Sequence, residues 1–399
     1  MNEIFIISSW GLGEDRILSI RLRPMIRHFL KQGWCVTCLC PRLGGNVDID
    51  GPLFSLIYFP FISTHRGLLS KFGRKVIFPI IGFLYGCWSI LRAKNEVRVF
   101  STIPEIEALV IGVLLKAVFP KKVRLVLEIR DPFSINRILP WGQRRRSFYW
   151  EMERQLLKWP DQVIFLTSEI RKRYLDNFGA NQPWVKNQSV ITNGFNRLDF
   201  AESVPQKVQQ NDGIVFAYVG TFYDGRDPID FLKTLEEYIR KYPQAPSFEV
   251  RFQGVVHGKS LEARILRTVA SRPLAPHVKW LGPSTHREAV RLMKNADVIL
   301  IITHKKGSEY AIPGKIFEYM GAARPVLALT SDPLVVDLVN THRMGWVCQN
   351  QADLWYWFET YLPFPDKIRA FRPDAASFAK YEIRNIHRTL ENFLLTKLV

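Results

Sequence analysis

The segment 309–330, EYAIPGKIFEYMGAARPVLALT, constrains the fold most, because it reads as a loop, a helix and a strand in direct succession. Pro313 suits the first turn of a helix, where its missing N–H costs nothing, and Gly314 lets the backbone approach whatever lies in front of it. Gly321 and the pair Arg324-Pro325 are predicted to end the helix. The run 326–329 is short and continuously apolar, which is typical of a parallel strand that is buried on both faces.

Two charged side chains of this helix share one face, because Lys315 and Glu318 are three residues apart. A helix start with free N–H groups, a positive dipole and a lysine is suited to bind a diphosphate, and a carboxylate one turn further can accept hydrogen bonds from ribose hydroxyls. In one interpretation the pair is half of a nucleotide site. In the other it is a surface ion pair worth a few tenths of a kcal/mol. The spacing alone leaves both open.

The segment PGKIFEYMGAARPVLAL resembles the donor-site segment of family 4 glycosyltransferases, especially bacterial polysaccharide enzymes, where it runs approximately P-[SG]-K-[LI]-[FY]-[ED]-Y-x-A-x-[GAR]-[KR]-P-[VI]. The resemblance implies the α/β GT-B fold, in which two Rossmann-like, doubly wound parallel-sheet domains face a cleft. It also implies sugar transfer from a nucleotide-diphosphate sugar with retention. In that family the counterpart of Glu318 binds the ribose and the counterpart of Lys315 lies beside the diphosphate. Gly314 and Ile316 are assigned to the same donor site.

An earlier glutamate of this family usually reaches the transferred sugar, and Glu309 is its counterpart here. The usual spacing is Glu-x7-Glu, whereas this chain has Glu-x8-Glu. The resemblance therefore implies a catalytic role for Glu309 on a loop that is one residue longer than usual.

Charged residues end a central strand of the first half, in the run Glu128-Ile129-Arg130-Asp131-Pro132. Charged groups at the carboxyl end of a strand stand in the crevice where open α/β sheets bind ligands. The run resembles the family's Asp-x-Arg-Asp element, so Asp131 and Arg130 are candidate catalytic residues, with Asp131 as an acceptor-side carboxylate or base. A structural ion pair between Arg130 and a neighbouring acid is the open alternative.

The second half begins with a buried strand from Ile214 that runs into Gly220-Thr221 and a glycine turn. In the resembling family, basic residues at this point contact the donor diphosphate, so Gly220, Thr221 and Arg226 are assigned to the donor site. The commoner arrangement is an arginine followed some residues later by Lys-Gly. This sequence departs from it, which leaves a pairing of Arg226 with Lys315 open.

A chain of 399 residues is too long for one ordinary core, and two domains of about 200 residues are expected. We assign 1–196 to an acceptor-side domain, 197–212 to a polar linker and 213–372 to a nucleotide-sugar domain. The end of the chain, 373–399, contains apolar residues at three- and four-residue spacings, which predicts an amphipathic helix. In GT-B enzymes such a helix crosses back onto the first domain.

The basic charge of the chain is concentrated in one region. The net charge is +18, and residues 51–150 hold 16 Lys and Arg against 5 Asp and Glu. Within that region the stretch 65–94 alternates basic with bulky apolar side chains, which suits a helix in a membrane interface. A buried helix with solvated flanks is the alternative. A patch of this kind indicates a polyanionic partner, such as anionic lipid, a pyrophosphate-linked lipid or nucleic acid.

Other classes of protein find little support in the sequence. Cys35-Val-Thr-Cys38 lies in an apolar, strand-like run without a second pair or a histidine cluster, so neither zinc nor a disulfide framework is expected. The run 4–7 is too short for a signal peptide, and 76–91 falls short of the roughly 20 apolar residues that span a bilayer. The donor half has no Asp-x-Asp element, so we expect no metal and no cofactor besides the nucleotide-sugar.

The sequence thus predicts a hexosyltransferase that moves a sugar from a UDP- or GDP-linked donor to a glycan or lipid-linked acceptor. We expect it in the cytoplasm, peripherally bound to the inner face of the plasma membrane. One alternative is a nucleotide-sugar epimerase or hydrolase, since fold does not fix function. Another is a non-catalytic basic protein that binds membrane or nucleic acid. Nucleic acid is not expected as a partner, because no recognition motif is present.

Overall fold

The computed structural model describes residues 1–8, 12, 17–41, 49–59, 73–136, 139–179, 182–201, 213–305 and 307–398. Two predictions lie partly outside these residues, namely 65–72 of the basic-apolar stretch and 202–212 of the linker. The chain divides into two units, Met1–Asn193 with Arg384–Val399, and Gly194–Ile383.

The first unit is built on seven parallel strands: β1 (Glu3–Ile7), β2 (Cys35–Pro41), β3 (Phe54–Phe59), β4 (Val97–Ile103), β5 (Val123–Ile129), β6 (Gln162–Phe165) and β7 (Gln188–Val190). Their order in the sheet is β3-β2-β1-β4-β5-β6-β7. The chain runs outward from the centre in one direction, returns, and continues in the other, which defines a doubly wound sheet. Its helices are α1 (Ile17–Lys31), α2 (Phe78–Arg92), α3 (Ile106–Val118), α4 (Gln143–Leu156) and α5 (Ser168–Phe178).

The second unit repeats this topology with six parallel strands: β8 (Ile214–Val219), β9 (Phe248–Gln253), β10 (Val278–Gly282), β11 (Val298–Ile302), β12 (Val326–Leu329) and β13 (Gly345–Cys348). Their order is β10-β9-β8-β11-β12-β13. The helices are α6 (Arg197–Ala201), α7 (Ile229–Lys241), α8 (Lys259–Val269), α9 (His286–Asn295), α10 (Lys315–Ala322), α11 (Pro333–Thr341), α12 (Gln351–Tyr361) and α13 (Pro365–Ala370). The described residues therefore form two doubly wound parallel sheets, as predicted.

Strand β8 shows why its sequence is continuously apolar. Phe216 and Tyr218 lie in one buried core of the unit, whereas Ala217 and Val219 lie in another. Successive side chains of a strand point to opposite faces, so both faces of the sheet are covered. Five of the six residues of β8 are buried, and Val215 is partly buried.

The last helix, α14 (Ile383–Leu395), belongs to the first unit. Leu390 and Leu394 join a core of that unit. Glu391 accepts hydrogen bonds from the indole nitrogen of Trp34 at 2.8 Å and lies 2.9 Å from the His28 imidazole. The helix starts later than the predicted segment 373–399, because Phe378 is buried in a core of the second unit.

The linker also starts later than predicted. Arg197–Ala201 forms α6, and Phe200 is buried in a core of the second unit. Phe200 packs against Gly321, where an added Cβ would lie 2.4 Å from Cε2 of Phe200. Gly321 is therefore a packing residue in the last turn of α10. The helix ends at Ala322, between Gly321 and the pair Arg324-Pro325, and the left-handed residue Ala323, with φ of 51°, follows it.

The exchange Gly254→Ala is expected to lower the melting temperature of the second unit. An added Cβ at Gly254 would lie 1.8 Å from the carbonyl oxygen of Gly220, and φ is +146°. Crowding and backbone strain together cost about 2–4 kcal/mol. The matched control is Gly258→Ala, since Gly258 has φ of +105° but nothing within 4 Å of an added Cβ. Equal calorimetric melting temperatures for the two variants would contradict the close approach at Gly254.

Candidate functional site

Helix α10 is oriented by its apolar side. Four of its side chains are at most 3% exposed and lie in one core: Ile316, Phe317, Tyr319 and Met320. The hydroxyl group of Tyr319 donates to the carbonyl oxygen of Val219 at 2.9 Å, which ties the helix to the end of β8. Burial of this side leaves Lys315 and Glu318 on the accessible side.

Lys315 and Glu318 form an ion pair, with 2.7 Å between Nζ and Oε2. The Glu318 side chain is 16% exposed and that of Lys315 is 31% exposed. Glu318 is thus held against the protein while its carboxylate stays accessible, unlike an ordinary carboxylate on a solvated helix face. The pair has the hydrogen-bonding groups that a diphosphate and a ribose require.

An imidazole also faces Glu318 and was not predicted from the sequence. His286, at the start of α9, lies with Nδ1 4.0 Å from Oε2 of Glu318 and with Nε2 3.0 Å from Oδ2 of Asp199. The hydrogen bond to Asp199 raises the pKa of His286, the Glu318 charge adds to the effect, and burial opposes it. Asp199 lies within the predicted linker, 87 residues before His286, so no local pattern links the two.

The start of α10 differs from the prediction in one detail. The helix begins at Lys315 with Gly314 as its cap, so Pro313 precedes the helix. The Ile316 side chain is fully buried, and its N–H donates to the carbonyl oxygen of Pro313 at 3.0 Å. The helix thus packs the Ile316 side chain into the core, and the assignment of this residue to the donor site stays a prediction.

Gly220, Thr221 and Arg226 follow β8 at the carboxyl edge of the sheet. The N–H of Gly220 donates to the carbonyl oxygen of Gln253 at 3.0 Å, and the carbonyl oxygen of Thr221 accepts from Tyr218. Nε of Arg226 donates to the carbonyl oxygen of Ile302, at the end of β11, at 3.1 Å. Among the described residues, no direct contact joins Arg226 to Lys315, so their pairing stays a prediction.

Arg226 nevertheless has an electrostatic effect on a residue of α10, Tyr319. Burial raises the pKa of Tyr319, the residue after Glu318, and the Arg226 charge opposes that rise. Arg226 also acts with burial to lower the pKa of His304. His304 lies 6.0 Å from the ring of Tyr223, which stacks on His257 at 4.8 Å. This ring group at the strand ends was not predicted, because its members come from three separate loops.

Glu309 lies on the exposed loop that precedes α10. Its Oε1 accepts a hydrogen bond from the N–H of Gly307 at 2.7 Å. The contact folds the carboxylate back onto its own loop, and the catalytic role of Glu309 stays a prediction.

Arg130 and Asp131 follow β5 in the first unit and have different surroundings. The Arg130 guanidinium binds both carboxylate oxygens of Glu105, at 2.8 and 2.6 Å, and the hydroxyl of Thr102 at 2.8 Å. The ion pair that the sequence left open is therefore present, and the catalytic role of Arg130 stays a prediction. Asp131 is accessible, yet desolvation by the surrounding protein raises the pKa of its carboxyl group against the Arg130 charge.

Glu128, the first acid of the same run, is buried and pairs with Arg21 of α1. Arg21 also donates to the side-chain oxygen of Asn193. Within the described ranges, no group of three or more His, Cys, Asp or Glu is placed to hold a metal ion.

Residues 213–356 match the model of the family described as Glycosyl transferases group 1. This part of the chain is therefore similar to group 1 glycosyl transferases. It contains β8 to β13 as well as Lys315, Glu318 and His286. The prediction of a glycosyltransferase is thereby confirmed. The sequence has no significant match among curated proteins.

Several solved structures are similar in fold to the whole chain. Sucrose-phosphate synthase from Thermosynechococcus elongatus has a TM-score of 0.69 at 16% identity, covering 99% of this chain and 98% of its own. HepE from Anabaena, solved with UDP and glucose, has a TM-score of 0.69 at 13% identity, with both chains covered completely. WaaG, a glycosyltransferase involved in lipopolysaccharide biosynthesis, has a TM-score of 0.66 at 13% identity, covering 99% and 100%. The predicted GT-B fold is confirmed.

The exchange Asp131→Asn is expected to raise the melting temperature of the first unit at neutral pH. Since the pKa of Asp131 is raised in the folded protein, its carboxylate destabilises the fold increasingly as pH rises through that pKa. Asparagine removes the charge at the same size. The difference between the variant and the wild type should shrink as pH falls towards the ordinary pKa of an aspartate. A lower melting temperature for the variant at neutral pH would contradict this account.

Proposed function

We propose that the chain binds a nucleotide-diphosphate sugar at the start of α10 and transfers the sugar to a glycan or lipid-linked acceptor. The observation that carries the proposal is the accessible pair of Lys315 and Glu318, held by the buried side of its helix in the part of the chain that is similar to group 1 glycosyl transferases. In the bound state the Glu318 carboxylate accepts hydrogen bonds from the ribose hydroxyls. The Lys315 ammonium group leaves Glu318 and pairs with the diphosphate. The helix dipole adds to its positive charge.

In this proposal the reaction depends on stabilising the leaving diphosphate. Negative charge grows on the phosphate oxygen as the bond to the sugar breaks, and cations already in place stabilise that charge. Lys315 supplies one cation. Arg226, anchored on Ile302, supplies a second from the neighbouring strand end. With these groups the transfer proceeds without a bound metal and with retention of configuration, and Glu309 contacts the sugar.

For the acceptor, we propose Asp131 as the carboxylate that accepts its proton. Desolvation raises the pKa of this group, and a raised pKa makes a carboxylate a stronger base near neutral pH. The structures of Anabaena HepE with UDP and with UDP-glucose support UDP-linked sugars as the first donors to test. GDP-linked sugars are the second.

The donor site can be tested by a thermal-shift screen against UDP, GDP, ADP and CMP and their sugars. One nucleoside diphosphate and its sugar should raise the melting temperature of the wild type, because ligand binding stabilises the folded state. Glu318→Gln should reduce the affinity about tenfold or more, since a ribose hydroxyl then loses a charged acceptor. Glu249→Gln, on β9, is the control. A full shift in Glu318→Gln would contradict the ribose assignment, and sugar release that needs no acceptor would indicate a hydrolase.

We propose further that the first unit lies on an anionic membrane surface through α2. Five large apolar side chains of this helix are 43–67% exposed: Ile80, Leu84, Tyr85, Trp88 and Leu91. Lys75 and Arg92 are exposed at the two ends of the same segment, and Arg92 stacks over the ring of Trp88 at 4.0 Å. An exposed apolar face between basic residues is typical of a helix that lies in the interface.

The opposite side of α2 is fixed to the unit. Cβ atoms added to Gly82 and Gly86 would lie 2.7 Å from Ile111 and 2.6 Å from Leu115, both on α3. By length and composition alone, the segment Lys75–Arg92 meets the criterion for a membrane span, with 22% of it buried. The contacts with α3 instead support a helix that stays on the unit and presents only its outer face to lipid.

The membrane surface can be tested by flotation with vesicles of phosphatidylglycerol and phosphatidylcholine. Changing Ile80, Leu84 and Leu91 to serine together should abolish vesicle binding, because each buried aliphatic side chain contributes about 1.5–3 kcal/mol. The matched control changes three exposed apolar residues of the second unit, Val255, Leu266 and Tyr356, to serine. Binding of the wild type should also weaken with salt. Equal binding by both triple variants would exclude this surface.

A further inference from the structure

The Glu318 carboxylate has two basic neighbours on different helices. Lys315 reaches it from the same helix at 2.7 Å, and His286 of α9 faces it at 4.0 Å. Asp199 holds the other imidazole nitrogen at 3.0 Å and itself accepts a hydrogen bond from Asn196 at 2.7 Å. The His286 ring is therefore held at one edge while its other edge points to Glu318.

A histidine at this position is not explained by its own helix. His286 is the first residue of α9, where the positive end of the helix dipole disfavours an imidazolium. Thr285 already caps the helix, with its hydroxyl accepting from the N–H of Glu288 and the Glu288 carboxylate bound in return. Thr285 and Glu288 thus cap the start of α9 without the imidazole. The charges that favour a cation here come from Asp199 and Glu318.

The charged groups around the imidazole belong to three helices. Among the residues that the structure describes, α6 contributes Asp199 and the exposed Arg197, and α10 contributes Lys315 and Glu318. Glu288 on α9 itself is engaged by Thr285. Strand β8, also packed against α9, contributes only apolar side chains. Two carboxylates and one lysine thus decide the charge of the ring.

We propose that His286 is a positioning residue that keeps Glu318 oriented and charge-balanced when Lys315 turns to the donor diphosphate. The proposal rests on the proposed function, because it assigns Lys315 and Glu318 to the two parts of a nucleotide-sugar. When the Lys315 ammonium group moves to the diphosphate, the partly buried Glu318 carboxylate loses its ion-pair partner. Without a second cation nearby, this loss is unfavourable. With His286 protonated between Asp199 and Glu318, the carboxylate keeps its charge and its direction toward the ribose.

The mechanism predicts a pH dependence of donor binding. The imidazolium is present below the raised pKa of His286 and is lost as pH rises through that value. Affinity for the donor should therefore fall as pH rises through the same range. Each phosphate of a nucleotide-sugar carries one ester and one anhydride bond, so its single charge stays constant there and the diphosphate itself does not produce the effect.

The test is calorimetric titration of UDP-glucose and GDP-mannose into wild type, His286→Gln and Asp199→Asn between about pH 6 and about pH 9. Near the lower limit, His286→Gln should bind the donor about three- to tenfold more weakly than wild type, and near the upper limit equally. Asp199→Asn keeps the imidazole but lowers its pKa, so its affinity should fall at a lower pH than in wild type. In turnover assays both exchanges should raise KM for the donor and leave kcat nearly unchanged.

His277→Gln is the matched control, because His277 of the same unit bonds to the carbonyl oxygen of Phe248 and stacks on its ring. It should retain the pH profile of the wild type. A His286→Gln variant with wild-type affinity across the pH range overturns the positioning role, as does a lowered melting temperature with an unchanged pH profile. Failure of wild type to bind either donor at any pH overturns the proposed function, and this inference with it.

Discussion

The burial of one side of α10 determines where the candidate donor groups lie. Its apolar side chains occupy a core of the second unit, Tyr319 is bonded to the end of β8, and Gly321 lies too close to Phe200 to admit a Cβ. A helix whose inner side is packed in the core cannot rotate about its axis, so Lys315 and Glu318 stay on its accessible side. The same contact seats α6 beside α10 and places Asp199 within reach of His286. Packing therefore fixes the chemistry of the site.

Much of the fold follows from local patterns in the sequence. The continuously apolar runs at β8 and β12 predict strands buried on both faces. The pattern alone does not predict β3, because this strand lies at the sheet edge and is only partly buried. It also does not predict the contact that requires a glycine at 321, because Phe200 is distant in sequence.

Some contacts of the candidate site can likewise be predicted from the sequence, and others cannot. Lys315 and Glu318 are predictable, because three-residue spacing on a helix brings them together. The Arg130 partner, Glu105, is 25 residues away, and the bond between Asp199 and His286 spans 87 residues. Such pairs form only when parallel strands bring their carboxyl ends to one edge and the following helices pack. The role of Ile316 depends likewise on which way the helix faces, which the spacing does not specify.

A crystal structure of the chain with a bound nucleotide-sugar tests the central claim most directly. We expect the ion pair of Lys315 and Glu318 to open in that structure. The Glu318 carboxylate should lie within hydrogen-bonding distance of both ribose hydroxyls, and the Lys315 ammonium group should contact the diphosphate. His286 should then be closer to Glu318 than the 4.0 Å of the unbound chain. A nucleotide bound elsewhere, or a ribose without contact to Glu318 beside an intact ion pair, would contradict the account.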